Sequence, residues 1–286
     1  MYKRQDSISA KGYSLGYVGS VLLLLICLGM ILGNETIGLE REKATRISFL
    51  LTGIWWIGFS QYTYAYLPKG NKADGTFSRD ILFKGFNELK NIWKDLKQQL
   101  VLKRYLGAFF IYSMAVQTVM LAAAYFGERE LVWGSDDERT TGLIVSILLI
   151  QLVAVIGALT LSKISSKIGN IKALILVNLI WIGICAYAFF ITTPFQFYIA
   201  AAFVGLVMGG IQSLSRSTYA KFLPETEDTT SYFSFYDVSE KVGIIIGMIL
   251  YGLVGDLTGS QRYSIVFLIL FFAAGVLLLL RVPKKG

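Results

Sequence analysis

The sequence predicts an all-α polytopic membrane protein, and three observations carry that prediction. Eight apolar runs occupy roughly residues 13–32, 47–67, 105–126, 143–161, 173–191, 195–214, 232–254 and 263–280. Each is close to the ~20 predominantly apolar residues that a helix needs to cross ~30 Å of hydrocarbon. The runs are continuous rather than alternating, which excludes a transmembrane β-barrel. Hydrophobic residues make up 55% of the 286 positions, so little chain is left for a soluble domain.

Charge sets the expected orientation. With the N-terminus inside, the cytoplasmic segments hold most of the 27 Lys and Arg residues, while the outer segments are weakly acidic, as basic residues in short loops require. An even number of spans puts both termini in the cytoplasm. The net charge of +8 is thereby explained as a topology signal, and nucleic acid is not an expected partner.

Taken in order, the chain opens with Met1-Tyr2-Lys3-Arg4-Gln5, which is what one reading frame of a transposase adapter used in shotgun sequencing encodes. Residues 1–5 are therefore expected to carry no biology, and an upstream portion of the protein is expected to be missing. The first run follows Lys3, Arg4 and Lys11, but its apolar core is too long for a signal peptide and lacks a small-residue cleavage site. Cys27 and Cys185 fall in mid-span, where a thiol packs as a small hydrophobe. Residues 6–67 thus form a two-span unit, and 105–286 a six-span unit.

Between the two units lies a long segment, 68–104, opening with the turn-rich stretch from Pro68 to Gly75. Within it Leu82, Phe86, Leu89, Trp93, Leu96 and Leu100 recur at helical spacing, with Lys84, Lys90, Lys94 and Lys97 on other faces. This amphipathic helix suits an anionic inner leaflet, and equally suits docking on the cytoplasmic ends of the spans. Small residues four apart, namely Gly12 with Gly16, Gly205 with Gly209 and Gly243 with Gly247, allow helix backbones to approach closely.

Polar groups inside spans are costly unless they face protein or a cavity. Tyr112, Gln117 and Thr118 in the third run, Gln151 in the fourth, Gln61 in the second and Gln212 in the sixth are the candidate cavity-lining residues. An amide donates and accepts at once, which fits a polar solute and equally fits bonding between helices. Arg216, Asp237, Glu240 and Lys241 cluster at the inner ends of the sixth and seventh runs. Asp237 and Lys241 can pair along one face, and Arg216 can reach Asp237 or Glu240 as a cytoplasmic gate; solvated helix ends give the same pattern. No buried proton-carrying carboxylate is expected within the spans.

Enzyme signatures are missing. The chain has no His, hence no Ser-His pair, no HExxH helix and no His-based metal site. The run Asp136-Asp137-Glu138 reads as solvated surface. No Walker-type phosphate loop occurs, and neither cofactor nor metal is expected.

Several stretches carry a resemblance. Ser9 to Ser20, Met114-Ala115-Val116-Gln117-Thr118, and above all Gly209 to Ser217 continued through Lys221-Phe222-Leu223-Pro224 to Tyr232 and Ser239 resemble the vacuole-effluxer-like branch of the major facilitator superfamily. The resemblance covers nearly the whole chain from Ser9. It implies the major facilitator fold, twelve helices in two six-helix halves working by alternating access, with the eight runs here as helices five to twelve and 68–104 as the inter-half loop. Glu240 stands where such relatives tend to have a small residue, Ser234 replaces a usual Gly, Met248 replaces a Pro, and Ser166 occupies an acidic position.

The implied function is secondary active transport of small polar solutes, amino acids among them, by a monomer in a bacterial inner membrane, with membrane lipids as the other partner. Two alternatives stay open: an exporter of hydrophobic compounds, and a non-transporting scaffold or receptor on a transporter fold.

Overall fold

The computed structural model describes residues 4–67, 80–226 and 228–283. The first three residues and the turn-rich stretch after Leu67 lie outside the described residues, as do the side chains of Leu82 and Lys84. The described chain is all helix: α1 (Gln5–Leu32), α2 (Arg41–Tyr66), α3 (Asp80–Gln98), α4 (Leu100–Glu130), α5 (Asp136–Ile168), α6 (Asn170–Phe190), α7 (Pro194–Phe222), α8 (Thr229–Thr258) and α9 (Gln261–Leu280). All but α2 and α3, seven in number, are long and apolar enough to cross a membrane, so this is an integral membrane protein. The second run does form a helix of 26 residues. Its Thr52, Ser60, Gln61, Thr63 and tyrosines leave it less apolar than the other seven, and among the described helices α2 packs chiefly on α1.

The helices outrun their apolar cores because a chain leaving hydrocarbon keeps its backbone hydrogen bonds by staying helical. Their ends are set by local chemistry. Thr193 and Gln196 form a reciprocal capping box ahead of Pro194 at the start of α7. Ser135 caps α5 by accepting from the Glu138 N–H. Asp228 caps α8, and its bonds from Ser231 hold its carboxyl below the usual carboxylate range. Gly169 adopts φ +87 between α5 and α6, a conformation open to glycine that lets the two helices turn back on one another with no longer loop. Met248, in place of the expected Pro, leaves α8 unbroken from Thr229 to Thr258.

The most extensive packing joins α5 to α7, and glycine makes it close. A Cβ on Gly209 would strike the Ala154 carbonyl oxygen, one on Gly157 the Leu206 carbonyl, and one on Gly205 would stand 2.5 Å from the Ile150 carbonyl. Gly247 meets Thr118 and Met114 of α4 in the same way, whereas Gly243 would gain only ordinary contacts at 3.5 Å. Gly12 and Gly16 have nothing within 4 Å, so that expected packing pair does not seat a helix.

The helix α3 docks through Ile92 and Leu96, both buried, against α4 and α8, while Trp93 lies 6.0 Å from Phe235. Phe86, Trp93 and Leu100 stay exposed. The docked face thus runs through Ile92 and Leu96, with Trp93 at its edge.

Two buried ion pairs anchor opposite ends of the bundle. Glu130, closing α4, accepts from Arg262 Nε at 3.0 Å, from the Gln261 N–H at 2.6 Å and from Ser260 Oγ at 2.9 Å. Arg262 also donates to the carbonyls of Phe189 and Glu130, so α4, α6 and α9 are tied at one point. At the other end Asp6 of α1 accepts from Lys221 Nζ at 2.6 Å and from Asn170 Nδ2 at 2.8 Å, and Asn170 donates to Thr218 as well. This cluster pins α1 to the start of α6 and the end of α7.

Two expectations follow. Gly209→Leu overpacks the α5–α7 seam and should lower unfolding free energy by about 1–3 kcal/mol, read by denaturant unfolding in detergent micelles, with Gly12→Ala near wild type. Asp6→Asn removes the charge that Lys221 faces, and should cost about 2 kcal/mol, less than a fully buried pair because the Lys221 side chain is 19% exposed. Lys43→Gln, at an exposed pair, should cost almost nothing.

Candidate functional site

The seam between α5 and α7 determines what α1 can cover. Gly12, Tyr13, Gly16, Tyr17 and Ser20 of α1 turn one face toward the groove beside that seam, and the two glycines leave it empty. The result is a cavity of about 730 Å³ bounded by α1, α4, α5 and α7. Its wall is mixed: Met120, Ala123, Ile147, Ile150, Val204 and Met208 are apolar, while Tyr13, Tyr17, Gln151, Gln212 and Arg216 carry the polar groups.

The polar groups are arranged along its length. Tyr17 donates to Gln212 Oε1 at 2.6 Å, and among the described residues the Gln212 amide nitrogen has only the Met120 sulfur at 3.4 Å, a weak acceptor. The Gln151 carbonyl oxygen is buried with no hydrogen-bond partner among the described residues. The poorly met Gln212 donor, on a residue that lines the cavity, is capacity for a polar guest. Ser9 donates to the Ser213 carbonyl at 2.8 Å and closes the cavity toward the Asp6 cluster.

Arg216 stands at that closed end. It donates to Asp237 Oδ1 at 3.4 Å, and its guanidinium carbon lies 5.0 Å from the Phe233 ring centroid. This pair joins α7 to α8, neighbours in sequence, while toward α1 the guanidinium faces the Tyr13 hydroxyl. Lys241 meets Glu240 at 4.0 Å rather than Asp237. The expected pairing of Asp237 with Lys241 along one face is therefore not made. Arg216 draws Asp237 toward α7, and Lys241, with a 70% exposed side chain, points away.

A small side pocket of about 10 Å³ adjoins the cavity, sharing Tyr13 and Gln212 with it and bounded by Tyr112, Gln117, Ser215, Tyr236 and Glu240. Gln117 Nε2 donates to Glu240 Oε1 at 2.7 Å. Tyr112 shares a hydrogen bond of 2.7 Å with Ser215 Oγ, and Tyr105 donates to the Ser215 carbonyl at 2.7 Å. Phe109 stacks on Tyr236 with centroids 4.1 Å apart. The α4–α7–α8 contact is thus largely aromatic, with the part-exposed Glu240 at its edge.

The expected cavity residues are distributed as follows. Gln151 and Gln212 line the main cavity; Tyr112 and Gln117 line the side pocket. Thr118 lines neither: it is fully buried, donates to the Met114 carbonyl, and lies under Gly247. Gln61 is exposed on α2, away from the cavity. Glu240, placed by the sequence at the inner end of its run, is part-buried there, its side chain 21% exposed. Tyr13, Tyr17 and the buried Asp6 are the residues that sequence reasoning missed. The signal for the tyrosines was available as Gly12-Tyr13 followed four residues later by Gly16-Tyr17, a face too open to pack and too polar for lipid.

Comparison with known proteins places this geometry. The family described as vacuole effluxer Atg22 like matches residues 1–285. An MFS-type transporter of Bacillus subtilis (strain 168), YxiO, is 29% identical over 99% of this chain and 64% of its own length. Autophagy-related protein 22 of Vanderwaltozyma polyspora is 28% identical over 96% of this chain and 55% of its own. The chain therefore spans less than two thirds of the length of these relatives. The crystal structure of a variant of the Escherichia coli fucose:proton symporter, FucP, superposes with a TM-score of 0.60 at 16% identity, covering 88% of this chain and 61% of that one, a likeness of fold. The chain belongs to the Atg22-like vacuole effluxer family, whose members are transporters of the major facilitator fold and not enzymes.

Proposed function

We propose that this protein moves a small polar solute across the membrane by alternating access, with amino acids the favoured class, through the cavity between α1, α5 and α7. The observation that carries the reading is the wall of that cavity. The Gln151 side chain, a weakly engaged amide nitrogen at Gln212 and a guanidinium at Arg216 line about 730 Å³ of space. A guanidinium recognises a carboxylate, and paired amides recognise whatever donors and acceptors a zwitterion offers.

In this reading α2 is an eighth span, α1 and α2 correspond to helices five and six of twelve, and α4 to α9 to helices seven to twelve. The division into 6–67, an inter-half segment 68–104 and 105–286 follows. Both termini face the cytoplasm of a bacterial cell, and the protein works as a monomer. The Ser9 and Asp6 contacts of α1 close the cavity on the cytoplasmic side, and rocking of α1 and α2 away from α5 and α7 opens it.

The apolar wall formed by Met120, Ile147, Ile150, Val204 and Met208 favours a second reading, export of hydrophobic compounds. Equilibrium binding to the purified chain in lipid nanodiscs separates the two. A mixture of free amino acids should compete for the bound radiolabelled amino acid. Gln151→Leu or Gln212→Ala should each weaken binding about threefold to tenfold, the worth of one neutral hydrogen bond, and Arg216→Gln should weaken it more. Tight binding of an apolar dye, with no competition by amino acids and no effect of these substitutions, would establish the second reading instead.

A further inference from the structure

A second cleft, about 810 Å³ in volume, opens where α6 begins and where α7 and α9 end. It shares no lining residue with the main cavity. Its wall is apolar: Ile171 and Ile175 of α6, Phe222 of α7, and Leu279, Leu280 and Val282 at the end of α9. Its polar side chains are Asn170, Lys172, Thr218 and Lys221, and no acid lines it among the described residues. Three of these four are engaged with one another and with Asp6. Lys221 donates to Asp6 and, at 3.0 Å, to Asn170 Oδ1; Asn170 Nδ2 donates to Asp6 and Thr218; the Thr218 hydroxyl donates to the Leu214 carbonyl. Lys172 is exposed and forms no hydrogen bond or ion pair with a described residue.

The surface beyond the cleft continues the same pattern. Lys172, Leu176 and Leu179 stand at i, i+4 and i+7 on one face of α6, and all three are exposed, the leucines by 40% and 51%. Because α6 is long and apolar enough to cross a membrane, this face meets hydrocarbon along its length and carries its cation at the end, where hydrocarbon gives way to headgroups. Arg281, exposed between Leu280 and Val282, and the exposed Lys167, next to Ile168, add positive charge at the same rim. A soluble polar ligand gains little here, since the polar floor is already satisfied and the walls are apolar. An amphiphile with an anionic head and an acyl chain uses both the cation and the wall, and basic pockets at the ends of membrane helices attract such lipids.

We infer that this cleft is a binding site for an anionic phospholipid, whose phosphate takes the Lys172 ammonium and whose acyl chain lies along Ile171, Ile175 and Leu279. The ammonium selects for the charged head, and the apolar wall supplies affinity that a free phosphate lacks. Lys221 stays with Asp6 and Asn170, so the lipid sits beside the tie that holds α1 without replacing it. Binding is measured without any solute and is independent of the transport reading above.

The test is native mass spectrometry of the purified full chain titrated with phosphatidylglycerol or with phosphatidylcholine. Phosphatidylglycerol should be retained in preference, and Lys172→Gln should weaken its retention about tenfold, the worth of one charge-assisted hydrogen bond. Ile175→Trp, which fills the cleft, should weaken it as well, whereas Lys90→Gln, at an exposed position on α3, should leave it unchanged. Excess inorganic phosphate should displace no more lipid than sodium chloride of equal ionic strength. Equal retention of the two lipids, retention unchanged in Lys172→Gln or in a folded Ile175→Trp, or an equal loss in Lys90→Gln would overturn the assignment. Displacement by inorganic phosphate would overturn it too, by giving the cation to a soluble anion. Lys172 is exposed, so its replacement spares the fold, and that variant decides the matter should Ile175→Trp fail to fold by circular dichroism.

Discussion

The contact between α5 and α7 is the constraint on which the rest of this molecule depends. Between helices in lipid there is little hydrophobic driving force, because a neighbouring acyl chain is as apolar as a leucine. Close backbone approach, with dispersion along the whole seam, is what remains. Gly157 on α5 and Gly205 and Gly209 on α7 supply it from both sides, each facing a backbone carbonyl of the other helix. With α7 held at that distance and rotation, Gln212 and Arg216 face away from the seam into the space that α1 encloses, and Gln151 of α5 faces them across it.

Charge is then distributed in a way that the medium dictates. The two strongest buried ion pairs, Glu130 with Arg262 and Asp6 with Lys221, sit at the ends of helices, where desolvation is partial and backbone groups complete the coordination. Arg216 and Glu240 are less enclosed, though each still links two helices. Arg216 shares a half-exposed pair with Asp237, and Glu240 leans on an amide. The polar ties of α1 contrast with its packing: it holds to α5 and α7 by Ser9, Ser14, Tyr17 and Asp6, and few of its residues are buried. A helix held by a handful of hydrogen bonds beside a cavity is one that can part from its neighbours without dismantling a core.

Much of the architecture was legible in the sequence because hydropathy averaged over a span is a local property. The apolar runs, the amphipathic segment before α4, the Gly205 and Gly209 pair and the mid-helix placement of both cysteines all follow from residue type and spacing. The resemblance carried by Gly209 to Ser239 pointed to the family before any coordinates. What spacing alone misjudged was facing. Gly12 and Gly16 have the same separation as Gly205 and Gly209, yet one pair borders a cavity and the other a helix. Gln117 and Gln151 are both mid-span amides, but one is bonded to Glu240 while the other keeps an unmet oxygen.

By itself, then, the sequence determined that this chain is an all-helical membrane protein, which segments leave water, and where backbones are free to approach. Only the tertiary structure decided which polar groups share one cavity, that Asp6 ties α1 to the α6 and α7 ends, and that Glu240 of α8 meets the Gln117 amide of α4. The physical reason is that a side chain's environment is set by whichever helix fills the space beside it. Residues separated by more than two hundred positions, such as Asp6 and Lys221, meet only because the helices that carry them are packed side by side.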